Sequence, residues 1–150
     1  MKNKLILSLI FSCISYASSF TINDKISTFS LPDQFDRMNT INSSITTIIV
    51  SFELHMNKKV HKFLAKKEAD FLENNHAVFI SNISFNPSII TKMFILPNMR
   101  DYKYPILIIN DENNKKFIEK DDKLTIYKLK NGIVQEINYV STTNELEKFF

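Results

Sequence analysis

Thr46-Thr47-Ile48-Ile49-Val50-Ser51-Phe52 runs directly into Glu53-Leu54-His55-Met56-Asn57, and from Lys58 the apolar residues take up a helical period. The first seven residues are rich in β-branched side chains and bounded by polar segments. That pattern fits a central strand covered on both faces. The next five are expected to form the loop leading off its C-terminal end. In open α/β sheets, ligands gather at that end.

Working outward, Val60, Phe63, Leu64, Phe71 and Leu72 fall on one broad helical face, with Lys and Glu elsewhere. Asn57 is expected to cap this helix. Asn74-Asn75 is expected to stop it, because Asn enters the left-handed region more readily than most residues. Residues 77–81 form the next apolar strand. Asn86-Pro87 signals a second helix, with Asn as cap and Pro in first position. Ile89, Ile90, Met93 and Phe94 are its expected core face, and Pro97 its end. Pro105 opens a third apolar strand over residues 106–109. Upstream, Ile26, Phe29 and Leu31 are inward candidates in an extended segment. Pro32-Asp33 starts a turn, and Met38–Ile41 is a short strand.

Beyond a polar stretch over residues 110–123, broken by Phe117-Ile118, residues 124–129 and 133–140 read as a β-hairpin. Asn131-Gly132 between them is a strong turn signal, since both residues accept positive φ. Gly132 is the one glycine of the chain. Thr142-x-x-Glu145 is a capping-box pattern opening a short helix with Leu146, Phe149 and Phe150. Strands alternating with helices argue for an α/β protein with a mixed sheet.

Length and composition set the outer bounds. The chain has 150 residues, 44% hydrophobic and 23% charged, enough for a packed core. The first 19 residues read as a signal peptide. Lys2 and Lys4 make a charged start, residues 5–14 an apolar run too short to span a bilayer, and residues 15–19 supply small residues for cleavage after Ala17 or Ser19, with an uncleaved anchor as the alternative. Residues 20–150 are expected as one domain with no membrane span once the signal is removed. The formal charge of +3 falls to about +1 without Lys2 and Lys4, so no nucleic-acid partner is implied. Cys13 is the sole cysteine. Because it lies in the leader, the mature chain is expected to be cysteine-free, with neither disulfide nor thiolate.

Several local patterns resemble the thioredoxin-like superfamily in its longer exported form, that of the TlpA/ResA-type thiol-disulfide proteins, the peroxiredoxins and the YtfJ-type proteins. Phe29-Ser30-Leu31-Pro32-Asp33 is similar to their F-x-L-x-D entry segment, and residues 46–52 to the strand before their active-site loop. Tyr104-Pro105-Ile106-Leu107 is similar to a later strand, and residues 124–134 to their late hairpin. The resemblance implies a central mixed sheet flanked by helices, an N-terminal strand extension, a late hairpin and a periplasmic location. It also implies a Cys-x-x-Cys pair at the first turn of the helix after residues 46–52, where the helix dipole lowers a thiol pKa. This chain has Glu53-Leu54-His55-Met56-Asn57 there. The proline of the facing segment is also missing, that segment being Asp121-Asp122-Lys123-Leu124. A thiol enzyme is therefore excluded, and no catalytic residue or cofactor is assigned.

Two binding readings follow. The first is a protein or peptide partner docking on Glu53, His55, Met56 and Asn57. The alternative is a copper or zinc site using Glu53, His55 and His61, since imidazole and carboxylate are competent ligands for both metals. The copper-delivery members of the resembled fold use two cysteines and a distant histidine, and the cysteines are absent here. Met56, Met93 and Met99 are soft ligand types for copper, but Met93 falls on the apolar helix face and is expected in the core rather than on a metal. Phe63, Phe71, Phe79 and Phe94 are also expected in the core.

Overall fold

The computed structural model describes residues 18–150. Its centre is β3 (Thr47–Ser51), in which every residue is buried. β3 pairs in parallel with β4 (Ala77–Asn82), Ile49 opposite Phe79. It pairs antiparallel with β6 (Leu124–Lys130), Ile49 opposite Ile126. β5 (Leu107–Ile109) joins the far side of β4 in parallel. β7 (Ile133–Val140) closes the other edge, giving the order β5-β4-β3-β6-β7. The alternation along β3 sorts the core into two layers. Ile49 faces a cluster with Phe79, Ile106 and Ile126, while Ile48 and Val50 face one with Ile80, Leu107 and Tyr127. A strand buried on both faces needs no polar alternation, hence the unbroken apolar run.

The first layer is closed by helices. α1 (Leu54–Leu64) contributes Met56, Val60, Phe63 and Leu64, α2 (Phe71–Asn74) contributes Leu72, and α5 (Thr143–Glu147) contributes Leu146. The second layer is covered by Ile26, by Leu31 and Ile41 from the hairpin β1 (Phe29–Pro32) and β2 (Met38–Ile41), and by Phe52 and Phe117. The hairpin is held to β5 by Gln34, whose amide donates to the Tyr104 carbonyl at 2.9 Å and accepts from the Ile106 N–H at 2.8 Å. Asp33 closes its turn, accepting from the Phe35 and Arg37 N–H groups at 2.8 and 3.0 Å and from Arg37 Nε at 2.9 Å. Burial alone would raise the Asp33 carboxyl pKa. These bonds and the Arg37 charge outweigh burial and hold it below its ordinary value. Tyr127 ties down two further segments, accepting from the Ile118 N–H at 2.9 Å and donating to the Phe20 carbonyl at 3.2 Å.

Three helical expectations need correction. First, α1 begins at Leu54, so residues 53–57 form no loop and Asn57 is no cap. The N-cap is Glu53. Asn57 is instead buried, and its amide donates to Ser81 Oγ on β4 at 2.8 Å. That bond turns the side chain away from the free N–H groups a cap would serve. Second, the run to residue 72 is two helices; α2 does stop at Asn74 with Asn75 as its C-cap, but the left-handed residue is His76 at φ 49°.

Third, the helical run from residue 88 passes through Pro97. It consists of α3 (Ser88–Ile90), a π-helical turn (Thr91–Ile95) and α4 (Leu96–Met99). Proline breaks α-helical bonding back to residue 93, and the wider π turn directly before it changes the bonding register there. A constant 3.6-residue period therefore mis-assigns the faces. Thr91, Ile95 and Met99 point inward, whereas Ile89, Ile90, Met93 and Phe94 are exposed. Met93 and Phe94 are thus not core residues. Among the described residues no helix is long and apolar enough to cross a membrane.

The late elements follow their local signals. Asn131 and Gly132 adopt φ of 52° and 76° in the β6–β7 turn, the combination a two-residue turn of this hand requires. Thr142 caps α5, accepting from the Glu145 N–H at 3.2 Å while Glu145 accepts from the Thr142 N–H at 3.1 Å. A Cβ on Gly132 would meet only ordinary contacts, the nearest at 3.6 Å, so the cost of Gly132→Ala is conformational. Urea unfolding of that variant is expected to show a loss of about 1–2 kcal/mol.

Candidate metal centre

The sheet register builds the site. β3 and β6 pair antiparallel up to Val50 opposite Thr125. Extended three residues further, the same register sets Glu53 opposite Asp122. There the chain leaves β3 and enters α1, while Asp122 occupies the turn before β6 with φ of 56°. Aspartate tolerates that left-handed backbone better than most residues. The Asp122 N–H donates to Glu53 Oε1 at 2.8 Å. His55, in the first turn of α1, lies between the two carboxylates. Its Nδ1 is 3.1 Å from Glu53 Oε2 and its Nε2 3.0 Å from Asp122 Oδ1.

Both ring nitrogens of His55 therefore face carboxylate oxygen. A neutral imidazole carries one N–H, so it can donate to only one of them, and the other contact sets lone pair against lone pair. A proton or a metal cation on that nitrogen relieves the repulsion. One ligand atom from each of Glu53, His55 and Asp122 lies within 4.8 Å of the others. The side chains are half-open to solvent, Asp122 most of all. Three ligands with free positions remaining are what an accessible zinc or copper site needs.

No family model matches this chain, and no curated protein does. Solved structures match along most of its length. A putative protein disulfide isomerase from Bacteroides thetaiotaomicron is 14% identical, with 85% of this chain and 84% of that one covered at a TM-score of 0.55. The thioredoxin domain of a thiol-disulfide oxidoreductase from Bacteroides vulgatus is 10% identical, covering 87% and 99% at 0.54. A peroxiredoxin-like protein from Aquifex aeolicus is 10% identical, covering 90% and 91% at 0.51. The chain has a thioredoxin-like fold. It lacks the cysteine pair of a dithiol catalyst, since it holds a single cysteine.

That single cysteine corrects one expectation. The chain is not cysteine-free: Cys13 is present, outside the described residues, as is nearly all of the segment expected as a signal peptide. What holds is narrower, namely that residues 18–150 contain no cysteine. The resemblance to thiol-disulfide proteins implies thiols in the first turn of α1. Here that turn presents His55, flanked by Glu53 and Asp122.

The other expected site residues are dispersed. Met56 and Asn57 are buried and offer nothing to a partner. His61 lies outside the cluster of Glu53, His55 and Asp122. Six residues along α1 place it about 9 Å further up the axis, with its side chain in a different environment. His61 Nδ1 lies 2.6 Å from the Tyr104 hydroxyl, and its ring stacks on Tyr102 with centroids 3.7 Å apart and planes 7° from parallel. Burial pushes the His61 pKa down to about 4 and raises that of Tyr104, which the neighbouring Tyr102 raises further. The phenol therefore stays protonated and donates to a neutral imidazole. Asp122 is the member of the cluster that the sequence-based set lacked. Its signal lay in the segment Asp121–Leu124 that the resemblance sets opposite the start of α1.

His61 gives a pH dependence with a definite sign. Its folded pKa lies below the ordinary 6.5, so between pH 6.5 and about 4 the unfolded chain binds a proton that the folded chain refuses. Stability therefore falls as pH is lowered through that window, by up to roughly 3 kcal/mol. Urea unfolding at several pH values should show this slope, and it should flatten in His61→Gln.

Proposed function

We propose that this protein binds a divalent first-row transition metal ion, zinc or copper, through His55, Glu53 and Asp122. The observation that carries the reading is the convergence of one imidazole and two carboxylates from two chain segments, held together by the β3–β6 register and the Asp122-to-Glu53 hydrogen bond. The position supports it as well, at the C-terminal end of the central strand and the start of α1. Of the four residues of the partner-binding reading, Met56 and Asn57 are buried, Glu53 is half-buried and only His55 is exposed.

The site would act as a binding or carrier centre. An exposed three-ligand site releases and accepts its ion readily, and the free positions admit a ligand from a donor or acceptor molecule. Binding displaces protons, so affinity weakens as pH falls.

Calorimetric titration of the protein with zinc and with copper is expected to show one site per chain. His55→Ala should abolish it, and Asp122→Asn should weaken it by about tenfold or more. His61→Gln should leave it unchanged. At a free-metal concentration 100 times the dissociation constant, the fold gains about 2.7 kcal/mol, read as a rise in Tm. Equal affinity in wild type and His55→Ala would overturn the assignment.

A further inference from the structure

We infer that the outward face of residues 88–99 is the interface of a homodimer, a two-fold contact between second copies of this chain. Ile89, Ile90, Met93 and Phe94 are 63, 40, 61 and 57% exposed. Their spacing puts them on one side of the helical run, while Thr91, Ile95 and Met99 occupy the inner side. The run is apolar on two sides, and a helix of that kind is ordinarily covered on both.

Beside this ridge lies a groove of about 320 Å³, whose lining includes Leu54, Ile90, Phe94, Met99 and Tyr102. Lys58 is its one Lys, Arg, Asp or Glu, which matches the depletion of charge at the centre of protein interfaces. A ridge and a groove side by side on one surface are what an isologous contact requires. Under a two-fold axis, Ile89 and Met93 of each copy enter the groove of the other.

The area fits. Leu54 and the four ridge residues leave on the order of 500 Å² of mostly apolar side chain in solvent, at the upper end for a monomer's largest patch. Two copies would bury about 1,000 Å² from these residues alone, and a polar rim brings the total into the range of stable interfaces. Charge argues against an anionic lipid surface as the occupant. Lys92 is the sole cation of the run, and Asp111 and Glu112 line the same cavity as Lys92, whereas helices that lie on membranes flank their apolar face with cations.

Sedimentation of the metal-free protein from about 1 to about 500 μM is expected to show a monomer–dimer equilibrium. Met93→Glu and Phe94→Glu should each weaken the dimer by at least about tenfold with Tm of the monomer unchanged, because both side chains are exposed. Tyr139→Glu, on the distant edge strand β7, should leave the dimer intact. A wild-type protein that is monomeric throughout, or a dimer indifferent to both ridge variants, would overturn the inference. Monomer that instead sediments with anionic vesicles would overturn it in favour of a lipid surface. No arm uses metal, so failure here is separate from failure of the metal site.

Discussion

Everything in this molecule hangs on β3 being paired on both edges and buried on both faces. Pairing with β4 and β6 satisfies its backbone groups inside the protein, where unpaired N–H and C=O groups are costly. Ile48, Ile49 and Val50 are fully buried, each removing apolar surface from water. A strand held this way cannot slip by one residue without exchanging its two faces. Its end point is therefore fixed, and so are the start of α1 and the turn before β6. The facing of Glu53 and Asp122 is a consequence of strand register, set before any side chain of the site is chosen.

The two polar contacts along α1 work in the same direction. Asn57 bonds to Ser81 and His61 to Tyr104, one turn apart along the helix. One links α1 to β4 and the other to the residue before Pro105. Apolar packing alone tolerates small rotations of a helix over a sheet, whereas buried hydrogen bonds penalise them by leaving donors unpaired. The direction in which His55 leaves the first turn of α1 is thereby restricted, which matters for a site whose two nitrogens each face a different carboxylate.

The strands and the late hairpin were legible because their signals are local. The apolar run of β3, the Asn131-Gly132 turn and the Thr142 capping box each need only a few neighbours to be read. The helices were less so. Asn57 looks like a cap until Ser81 is placed beside it, and nothing in the chain near Asn57 announces Ser81. Residues 88–99 carry apolar side chains on two sides, and the π turn changes the phase between them, so no single period could pick the inner face. The cluster of Glu53, His55 and Asp122 was half legible. Glu53 and His55 are adjacent in sequence to the central strand, but Asp122 is brought in only by the β3–β6 register, and His61 looks closer in sequence than it is in chemistry.

A thioredoxin-like fold concentrates two chain segments and a helix start at one point irrespective of what side chains stand there. The helix start favours negative charge. In the thiol proteins that the sequence resembles, this field is used to stabilise a thiolate. Here it falls on carboxylates, Glu53 at the N-cap and Asp122 across from it. Two carboxylates held at one point repel each other, and the helix field offsets part of that repulsion without neutralising it. A histidine placed between them supplies a site that either a proton or a metal can fill. The strand, the helix and the register that bring Glu53, His55 and Asp122 together are features of the backbone, set whatever side chains stand there.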